Sequence, residues 1–270
     1  MASGADRINM DVAHPARRYN YWLGGKDNFA ADRASADEIE RAFPTARIAA
    51  QANRQTLGRM VTYLARDAKP AVRQFLDIGT GLPTVDNTHE VAQRIAPESR
   101  IVYVDNDPLV MSHARALLTS SPEGRTAYIE ADLRQSRDIL ADSQLREVLD
   151  FGQPVAVMLI AVAHFIPGPG AAKPLLDTLM EPLVSGSYVA LTHMTTDFMT
   201  PKDRQTYTAM LESGKSDVWP RSKDEIEELL AGLDLVEPGI VLGTNWMREP
   251  QSGDPAPGET NFWAAMARKP

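Results

Sequence analysis

The residues best suited to chemistry follow an apolar run, residues 74–78, that is typical of a buried strand. Gly79 and Gly81 come directly after this run, and Asp77 lies inside its end. Glycines at such a turn let the backbone bend tightly and approach a ligand, which in parallel sheets binds outside the carboxyl ends of the strands. The carboxylate of Asp77 could accept hydrogen bonds from a ligand ammonium group. The motif therefore predicts a ligand site at this strand end.

A second acidic residue ends the next apolar run, residues 100–104. Asp105 stands where a carboxylate can bind both hydroxyls of a ribose, and Asn106 beside it belongs to the same predicted ligand-binding set. Asp107 precedes Pro108 and is better suited to capping free amides at the start of a helix. Combined with the glycine turn, Asp105 indicates a cofactor that contains adenosine.

A third acidic residue, Asp132, follows a weaker strand predicted at residues 126–129. Its carboxylate could accept a hydrogen bond from the exocyclic amine of adenine, and the backbone amide of Leu133 could meet a ring nitrogen. Asp132 could equally cap the turn that follows it, and both interpretations stay open.

His164 lies close to the end of the longest apolar run, residues 155–162. An imidazole there would face the ligand, and it could act as a general base or as a hydrogen-bond partner. A lone histidine in an apolar run is more often structural. His164 is the first candidate for a catalytic base, and a purely structural role is the alternative.

Aromatic and polar side chains crowd around a diglycine within residues 19–28. This segment could form a lid over the cofactor, with Gly25 in contact with it. Lys26 and Asp27 are the next candidates for a catalytic base. The alternative is a helix-packing arm whose aromatic side chains fill the core and whose charges are solvated.

Two further pairs of residues could reach the same site. Asn53 and Arg54 interrupt a predicted helix with polar groups that could face the site, although a solvated helix face explains them nearly as well. His193 and Thr195 follow the fifth predicted strand and could shape the pocket of a second substrate.

The elements that must position these residues alternate between strands and helices. Apolar runs predict strands at residues 74–78, 100–104, 126–129, 155–162, 187–192, 235–242 and 261–267. Helical spacing predicts helices at residues 30–43, 46–68, 87–95, 108–119, 136–149, 173–183 and 223–231. This alternation implies a parallel sheet covered by helices on both faces, in which the last two strands could pair antiparallel.

The composition of the 270 residues narrows the function further. The chain has no cysteine, which excludes disulfides, thiolate zinc sites, iron–sulfur clusters and cysteine nucleophiles. Its formal net charge of −8 argues against a general nucleic-acid or anionic-membrane surface. No stretch approaches the roughly 20 apolar residues that span a bilayer, and no apolar signal-peptide core is evident, so a cytoplasmic location is expected.

Together these motifs resemble an actinobacterial family of S-adenosylmethionine-dependent methyltransferases, many of whose members carry only a domain-of-unknown-function label. The resemblance runs from about residue 16 to residue 267 and is carried by residues 16–33, 51–55, 74–84, 89–93, 102–108, 130–134 and 161–165. It implies a class I, Rossmann-like fold with seven strands, mostly parallel, and an N-terminal helical extension. The expected division is an extension or lid over residues 1–70 and a cofactor-binding domain over residues 71–270, packed as one unit.

The resemblance also implies roles for particular residues. Gly79 and Gly81 would lie at the methionine portion of S-adenosylmethionine, Asp105 at the ribose, and Asp132 with Leu133 near the adenine. The methyl acceptor is unidentified and is expected to be a small molecule. No nucleic-acid partner, membrane partner or metal is expected, and the oligomeric state is open.

Two rival functions stay open at this point. The first is a regulatory protein that binds S-adenosylmethionine or its demethylated product without catalysis. It stays open because the binding motifs in the sequence are clearer than the catalytic ones. The second is a nicotinamide-dependent oxidoreductase built on the same sheet. Pro83 and Thr84 argue against it, because Pro83 removes a backbone donor and Thr84 replaces the third glycine of the dinucleotide motif.

Overall fold

The chain folds around one mixed sheet, and the computed structural model describes residues 8–270. Residues 1–7 of the predicted extension lie outside the described residues. The strands are β1 (Gln74–Ile78), β2 (Arg100–Asp105), β3 (Arg125–Glu130), β4 (Ala156–Ile160), β5 (Tyr188–Met194), β6 (Asp234–Leu235), β7 (Val241–Leu242) and β8 (Phe262–Arg268). The helices are α1 (Pro15–Trp22), α2 (Ala30–Ala42), α3 (Ala46–Arg66), α4 (Thr88–Ile95), α5 (Pro108–Leu117), α6 (Ser136–Ala141), α7 (Ser143–Val148), α8 (Lys173–Met180), α9 (Pro201–Glu212), α10 (Lys223–Leu229) and α11 (Pro257–Thr260).

The strand order is β3-β2-β1-β4-β5-β8-β6, and β7 also pairs with β8. The first five strands in this order are parallel, whereas β8 runs antiparallel to β5. Every residue of β1 and β4 is buried, which explains why the central strands are continuous apolar runs. The predicted α/β class and the antiparallel pairing at the end of the chain are confirmed. The strand order reverses between β1 and β4, where ligands of open α/β sheets bind.

The edge beyond β8 differs from the sequence prediction. The strand predicted at residues 235–242 is two strands of two residues each, so the described residues form eight strands where seven were expected. Pro238 and Gly239 separate them: Pro238 has no amide hydrogen to donate, and Gly239 adopts a φ of +82° that turns the chain. Both short strands still pair antiparallel with β8, so the fold class is unchanged.

Hydrophobic cores lie on both faces of the sheet. Helix α3 buries Leu57, Met60 and Leu64 against strand residues of one face, and α4 adds its own apolar side. Helices α6, α7, α8 and α10 cover the other face. The helix predicted at residues 136–149 is broken at Asp142, whose extended backbone ends α6 and whose side chain caps α7.

Helices α1 and α2 lie at the carboxyl edge of the sheet rather than on a face. Nε of Arg17 in α1 is 3.1 Å from Oδ2 of Asp107, which follows β2, and 3.7 Å from Oδ1 of Asp32 in α2. All three side chains are nearly or fully buried. This ion-pair cluster holds α1 and α2 over the strand ends. None of the helices within residues 8–270 is long and apolar enough to cross a membrane.

Candidate active site

A cavity of about 550 Å³ lies at the carboxyl ends of β1, β2, β4 and β5, beneath α1, α2 and α3. The structure brings most of the site residues predicted from the sequence together on its wall: Asp77, Gly79, Gly81, Asp105, Asn106, Asp132, Leu133 and His164. Parallel strands end at the same edge, so side chains that are far apart in sequence meet there.

The other three predicted residues, Gly25, Lys26 and Asp27, are not brought to the cavity. They lie in the loop after α1, where the Gly25 amide donates to the Asn20 carbonyl over 2.8 Å. Lys26 and Asp27 are exposed, and Oδ1 of Asp27 is 3.4 Å from Nε2 of His113. The loop therefore places the side chains of Lys26 and Asp27 at the surface, whereas residues of α1, which precedes the loop, line the cavity.

The glycine turn after β1 depends on two missing side chains. Gly79 has a φ of +73°, and a Cβ there would lie 2.4 Å from Cγ2 of Val162. Gly81 has a φ of +70°, and no described atom lies within 4 Å of where its Cβ would stand. Gly79 is therefore needed for packing against the β4 loop, whereas Gly81 leaves open space on the cavity wall.

Asp105 holds this turn in place. Its Oδ2 accepts the amide hydrogen of Gly81 over 2.8 Å, and its Oδ1 accepts that of Asp107 over 3.0 Å. Burial raises the pKa of Asp105, although both backbone hydrogen bonds act to lower it. Each carboxylate oxygen has two lone pairs, so both oxygens can still accept a hydroxyl from a ligand.

Asp132 is anchored more strongly than the sequence suggested. Its carboxylate accepts hydrogen bonds from the backbone and side chain of Arg134, and from Nδ2 of Asn106 over 2.8 Å. The Arg134 side chain is the main reason that the pKa of Asp132 falls to about 2. Asp132 is thus ionised and caps the following turn, while it also lies on the cavity wall.

Near the end of β1, helix α3 contributes buried polar groups. Burial raises the pKa of Asp77 to about 6, although its Oδ2 accepts the Thr88 hydroxyl over 2.6 Å. On α3, Oδ1 of Asn53 and Nε of Arg54 are buried on residues that line the cavity and find no hydrogen-bond partner among residues 8–270. Unpartnered buried groups are rare in folded proteins, and here they offer one acceptor and one donor to a ligand.

The chain leaves β4 through a strained residue. Ala161 has a φ of +54°, a region that L-residues seldom adopt, and its amide donates to both the hydroxyl and the carbonyl of Thr192. This ends β4 two residues earlier than predicted and leads into a short 3-10 turn, Ala163–Phe165. The turn places His164, which is 8% exposed, on the cavity wall.

His164 is neutral and packs against a second histidine. Burial, followed by the charge of Arg221, lowers the pKa of His164 to about 3. The ring centroid of His193 lies 5.6 Å away in an edge-on arrangement. The backbone amide of Met194 donates to Nδ1 of His164 over 3.4 Å.

Arg221 is a structural residue of the site that the sequence analysis missed. It is 2% exposed and donates to the carbonyls of Ala163, Ile166 and Gly168 and to Nε2 of His193. It lies just before the N-cap of α10, where an arginine is usually solvated. The neighbouring sequence therefore does not predict that Arg221 is buried.

Helices α1 and α2 are fastened to the region around α9 on the far side of the cavity. Nη2 of Arg18 donates to both carboxylate oxygens of Asp217, at 2.5 and 2.6 Å. The rings of Phe43 and Tyr207 are 5.8 Å apart, with Phe43 just after α2 and Tyr207 on α9. Arg18, Phe43, Tyr207 and Asp217 all line the cavity, so both contacts form part of its wall.

The described residues contain no group of three or more His, Asp or Glu side chains that could hold a metal ion. A sheet in this order, with an antiparallel strand beside β5 and a glycine turn between two acidic strand ends, defines the class I fold of S-adenosylmethionine-dependent methyltransferases.

The comparisons with known proteins identify the family within this class. A family model described as S-adenosyl methyltransferase matches residues 1–270, and the chain belongs to this family. It is an S-adenosylmethionine-dependent methyltransferase, as the sequence motifs predicted. No curated protein matches the chain.

Two solved structures are similar over nearly the whole chain. One is a protein of the DUF574 family from Streptomyces avermitilis, with 43% identity, a TM-score of 0.91, and coverage of 98% of this chain and 100% of its own. The other, from Thermobifida fusca, carries a provisional methyltransferase assignment; it has 39% identity and a TM-score of 0.86, with 97% of this chain and 96% of its own covered.

Proposed function

We propose that the cavity binds S-adenosylmethionine across β1 and β2 and a small-molecule acceptor across β4 and β5. The observation that carries this proposal is the bond between Gly81 and Asp105, because it ties the glycine turn to the second acidic strand end on one wall. The donors and acceptors of the wall fit the cofactor. Asp105 has lone pairs left for two ribose hydroxyls, and Gly81 leaves room beside it.

The adenine would lie toward Asn106, Asp132 and Leu133. Asp132 stays ionised at neutral pH because Arg134 lowers its pKa, and it can accept a further hydrogen bond from an exocyclic amine. The leucine side chain is buried and offers an apolar surface to the base.

The methionine end would lie toward Asp77 and α3. The unpartnered Oδ1 of Asn53 and the carboxylate of Asp77 suit an ammonium group, and the unpartnered Nε of Arg54 suits a carboxylate. This pairing would give a partner to each of these two buried groups of α3. Arg54 is already oriented, because its Nη2 donates to the carbonyls of Val85 and Asp86.

When bound, S-adenosylmethionine supplies a methyl group on a positively charged sulfur, which an electron-rich atom can attack. The contribution of this chain is to bind both reactants, orient them and exclude water. The contact of Arg18 with Asp217 and that of Phe43 with Tyr207 support a lid formed by α1 and α2. The proposed lid is therefore α1 and α2 of the extension predicted over residues 1–70, whereas α3 of that extension packs on a face of the sheet.

A small acceptor suits the cavity better than a macromolecule does. The cavity lies beneath α1 and α2, and its wall carries apolar side chains, including Trp22, Phe165 and Met199. The net charge of −8 disfavours a nucleic-acid acceptor. A cytoplasmic location stays a prediction of the sequence.

Calorimetric titration with S-adenosylmethionine, S-adenosylhomocysteine and NAD tests the cofactor half. We expect micromolar dissociation constants for the two sulfur compounds, at least tenfold weaker binding by Asp105→Ala, and no binding of NAD. Binding of NAD alone, or sulfur-compound binding unchanged in Asp105→Ala, would contradict the proposed site.

A further inference from the structure

The ring proton of His193 has a fixed position. Nε2 of His193 lies 2.8 Å from Nη1 of Arg221, and a guanidinium can only donate hydrogen bonds. Nε2 must therefore accept, and the proton of the neutral ring lies on Nδ1. Consistent with this, Nδ1 is 2.8 Å from the carbonyl oxygen of Met194, to which it donates.

The same reasoning fixes His164 in the opposite tautomer. The backbone nitrogen of Met194 lies 3.4 Å from Nδ1 of His164, and a backbone amide can only donate. Nδ1 therefore accepts, and the proton of the neutral ring lies on Nε2. Within residues 8–270, the titratable or charged groups that act on His164 are His193, edge-on at 5.6 Å, and Arg221, and neither favours a second proton.

We propose that His164 presents a neutral Nε2–H donor to the acceptor half of the cavity, where it binds an oxygen of the acceptor that carries a free lone pair. A carboxylate, a carbonyl or a phenolate oxygen fits this description. This inference rests on the proposed function, because it places the acceptor at the ends of β4 and β5. It makes His164 a group that orients the acceptor and does not remove a proton from it.

The surroundings of His164 strengthen this donor. The Met194 amide donates to Nδ1 of His164, and a hydrogen bond accepted at one ring nitrogen polarises the ring and strengthens donation from the other. The positive charge of the buried Arg221, which donates to Nε2 of His193, also acts on the His164 ring. The wall at Nε2 of His164 is therefore electropositive, so it attracts a negatively polarised oxygen and repels an ammonium group.

The apolar lining of the cavity indicates the body of the acceptor. The cavity wall includes the aromatic side chains of Trp22, Phe43, Phe165 and Tyr207 together with Met199. Such a wall favours an aromatic or otherwise apolar ligand with few polar groups. The acceptor class is therefore an apolar molecule that bears a carboxylate, carbonyl or phenolate oxygen.

The first test is nitrogen NMR of the ligand-free protein labelled with ¹⁵N in its five histidines. Two-bond proton–nitrogen correlations report which ring nitrogen carries the proton, and the His164 signals are identified by their loss in His164→Gln or, should that variant not fold, by backbone assignment. We expect an Nε2–H tautomer for His164 and an Nδ1–H tautomer for His193, both unchanged from pH 8 to pH 5. An Nδ1–H tautomer of His164, or its protonation between pH 8 and pH 5, would overturn the proposal.

The second test titrates the same labelled protein with benzoate and with benzylamine, which have similar size and opposite charge. Benzoate should shift the Nε2 signal of His164, and benzylamine at the same concentration should leave it in place. Equal shifts with both probes, or none with benzoate at tens of millimolar, would overturn this wall as the oxygen-binding wall. Neither test uses the cofactor. A failure of the proposed cofactor site would therefore be seen only in the calorimetric titration, and a failure of the His164 proposal only in the NMR experiments.

Discussion

The amide hydrogen of Gly81 bonds to Oδ2 of Asp105 over 2.8 Å, which joins the turn after β1 to the end of β2. Gly81 lies in the turn after β1 and Asp105 ends β2, and each residue depends on the other. The bond fixes the turn, and the turn keeps the buried carboxylate satisfied. Stability and cofactor binding should therefore depend on the same pair.

Replacing Asp105 with Asn tests this coupling. The carboxamide nitrogen is a donor, so it cannot accept from one of the two amides that the carboxylate now satisfies. We expect a loss of about 1–3 kcal/mol in the free energy of unfolding and at least tenfold weaker binding of S-adenosylhomocysteine. Urea denaturation and calorimetry measure the two effects. Asp138→Asn, at an exposed position in α6, should change neither, and an equal effect there would contradict the coupling.

The two glycines of the turn should respond differently to alanine. Gly79→Ala meets both a left-handed backbone and a contact of 2.4 Å with Val162, so a loss of about 3 kcal/mol in unfolding free energy is expected. Gly81→Ala meets the backbone strain alone and should lose about 1 kcal/mol. Its methyl group, however, enters the open space of the cavity and should weaken cofactor binding. Equal losses of stability in the two variants would argue against the packing role of Gly79.

The sequence allowed much of this site to be predicted because its residues sit at strand ends. Asp77 lies inside the end of an apolar run, whereas Gly79 and Asp105 follow such runs, and the topology of a parallel sheet brings these positions to one edge. The antiparallel pairing of β8 followed from the lack of a strong helix before it. These inferences need only local pattern and the general rules of sheet topology.

Other features depend on contacts between distant segments, and no local pattern reports them. Arg221 is buried because it donates to carbonyls in and just after the 3-10 turn that follows β4, some fifty residues away in sequence. Helix α1 was missed because it is short and polar, and its Arg17 is buried by Asp107 of a different element. The polar and aromatic residue types of the loop after α1 predicted that it lies at the site, but in the structure Lys26 and Asp27 of this loop are at the surface.

The raised pKa of Asp77 makes a pH-dependent prediction. Its folded-state pKa of about 6 lies above the usual 3.8, so the folded protein binds the proton more tightly than the unfolded chain does. The contribution of Asp77 to stability is therefore present below about pH 4 and is lost as the pH rises through 6. Asp77→Asn should gain up to about 3 kcal/mol relative to the native chain between pH 4 and pH 7. Denaturation at several pH values checks this, and a difference that does not change with pH would contradict it.

His164 should make the protein sensitive to acid. Its folded-state pKa of about 3 lies below the usual 6.5, so its contribution to stability is full above pH 6.5 and is lost as the pH falls toward 3. Between pH 7 and pH 5 this loss is about 2 kcal/mol, and His164→Gln should remove it because glutamine does not titrate. His113→Gln serves as the matched control, since His113 is only partly buried. The same acid sensitivity in His164→Gln as in the native chain would refute the prediction.

The pair formed by Arg18 and Asp217 should control access to the cavity. It joins α1 to the loop after α9, and Asp217 is 43% exposed, so the pair can open without unfolding the core. An ion pair with an exposed partner contributes little to global stability, so Arg18→Ala should leave the unfolding free energy within about 1 kcal/mol. S-adenosylhomocysteine should nevertheless dissociate several times faster, and hydrogen exchange of the α1 amides should no longer slow when it binds. Lys202→Ala, an exposed change on α9, is the control. Unchanged dissociation and exchange in Arg18→Ala would mean that α1 is a fixed wall of the site and not a lid.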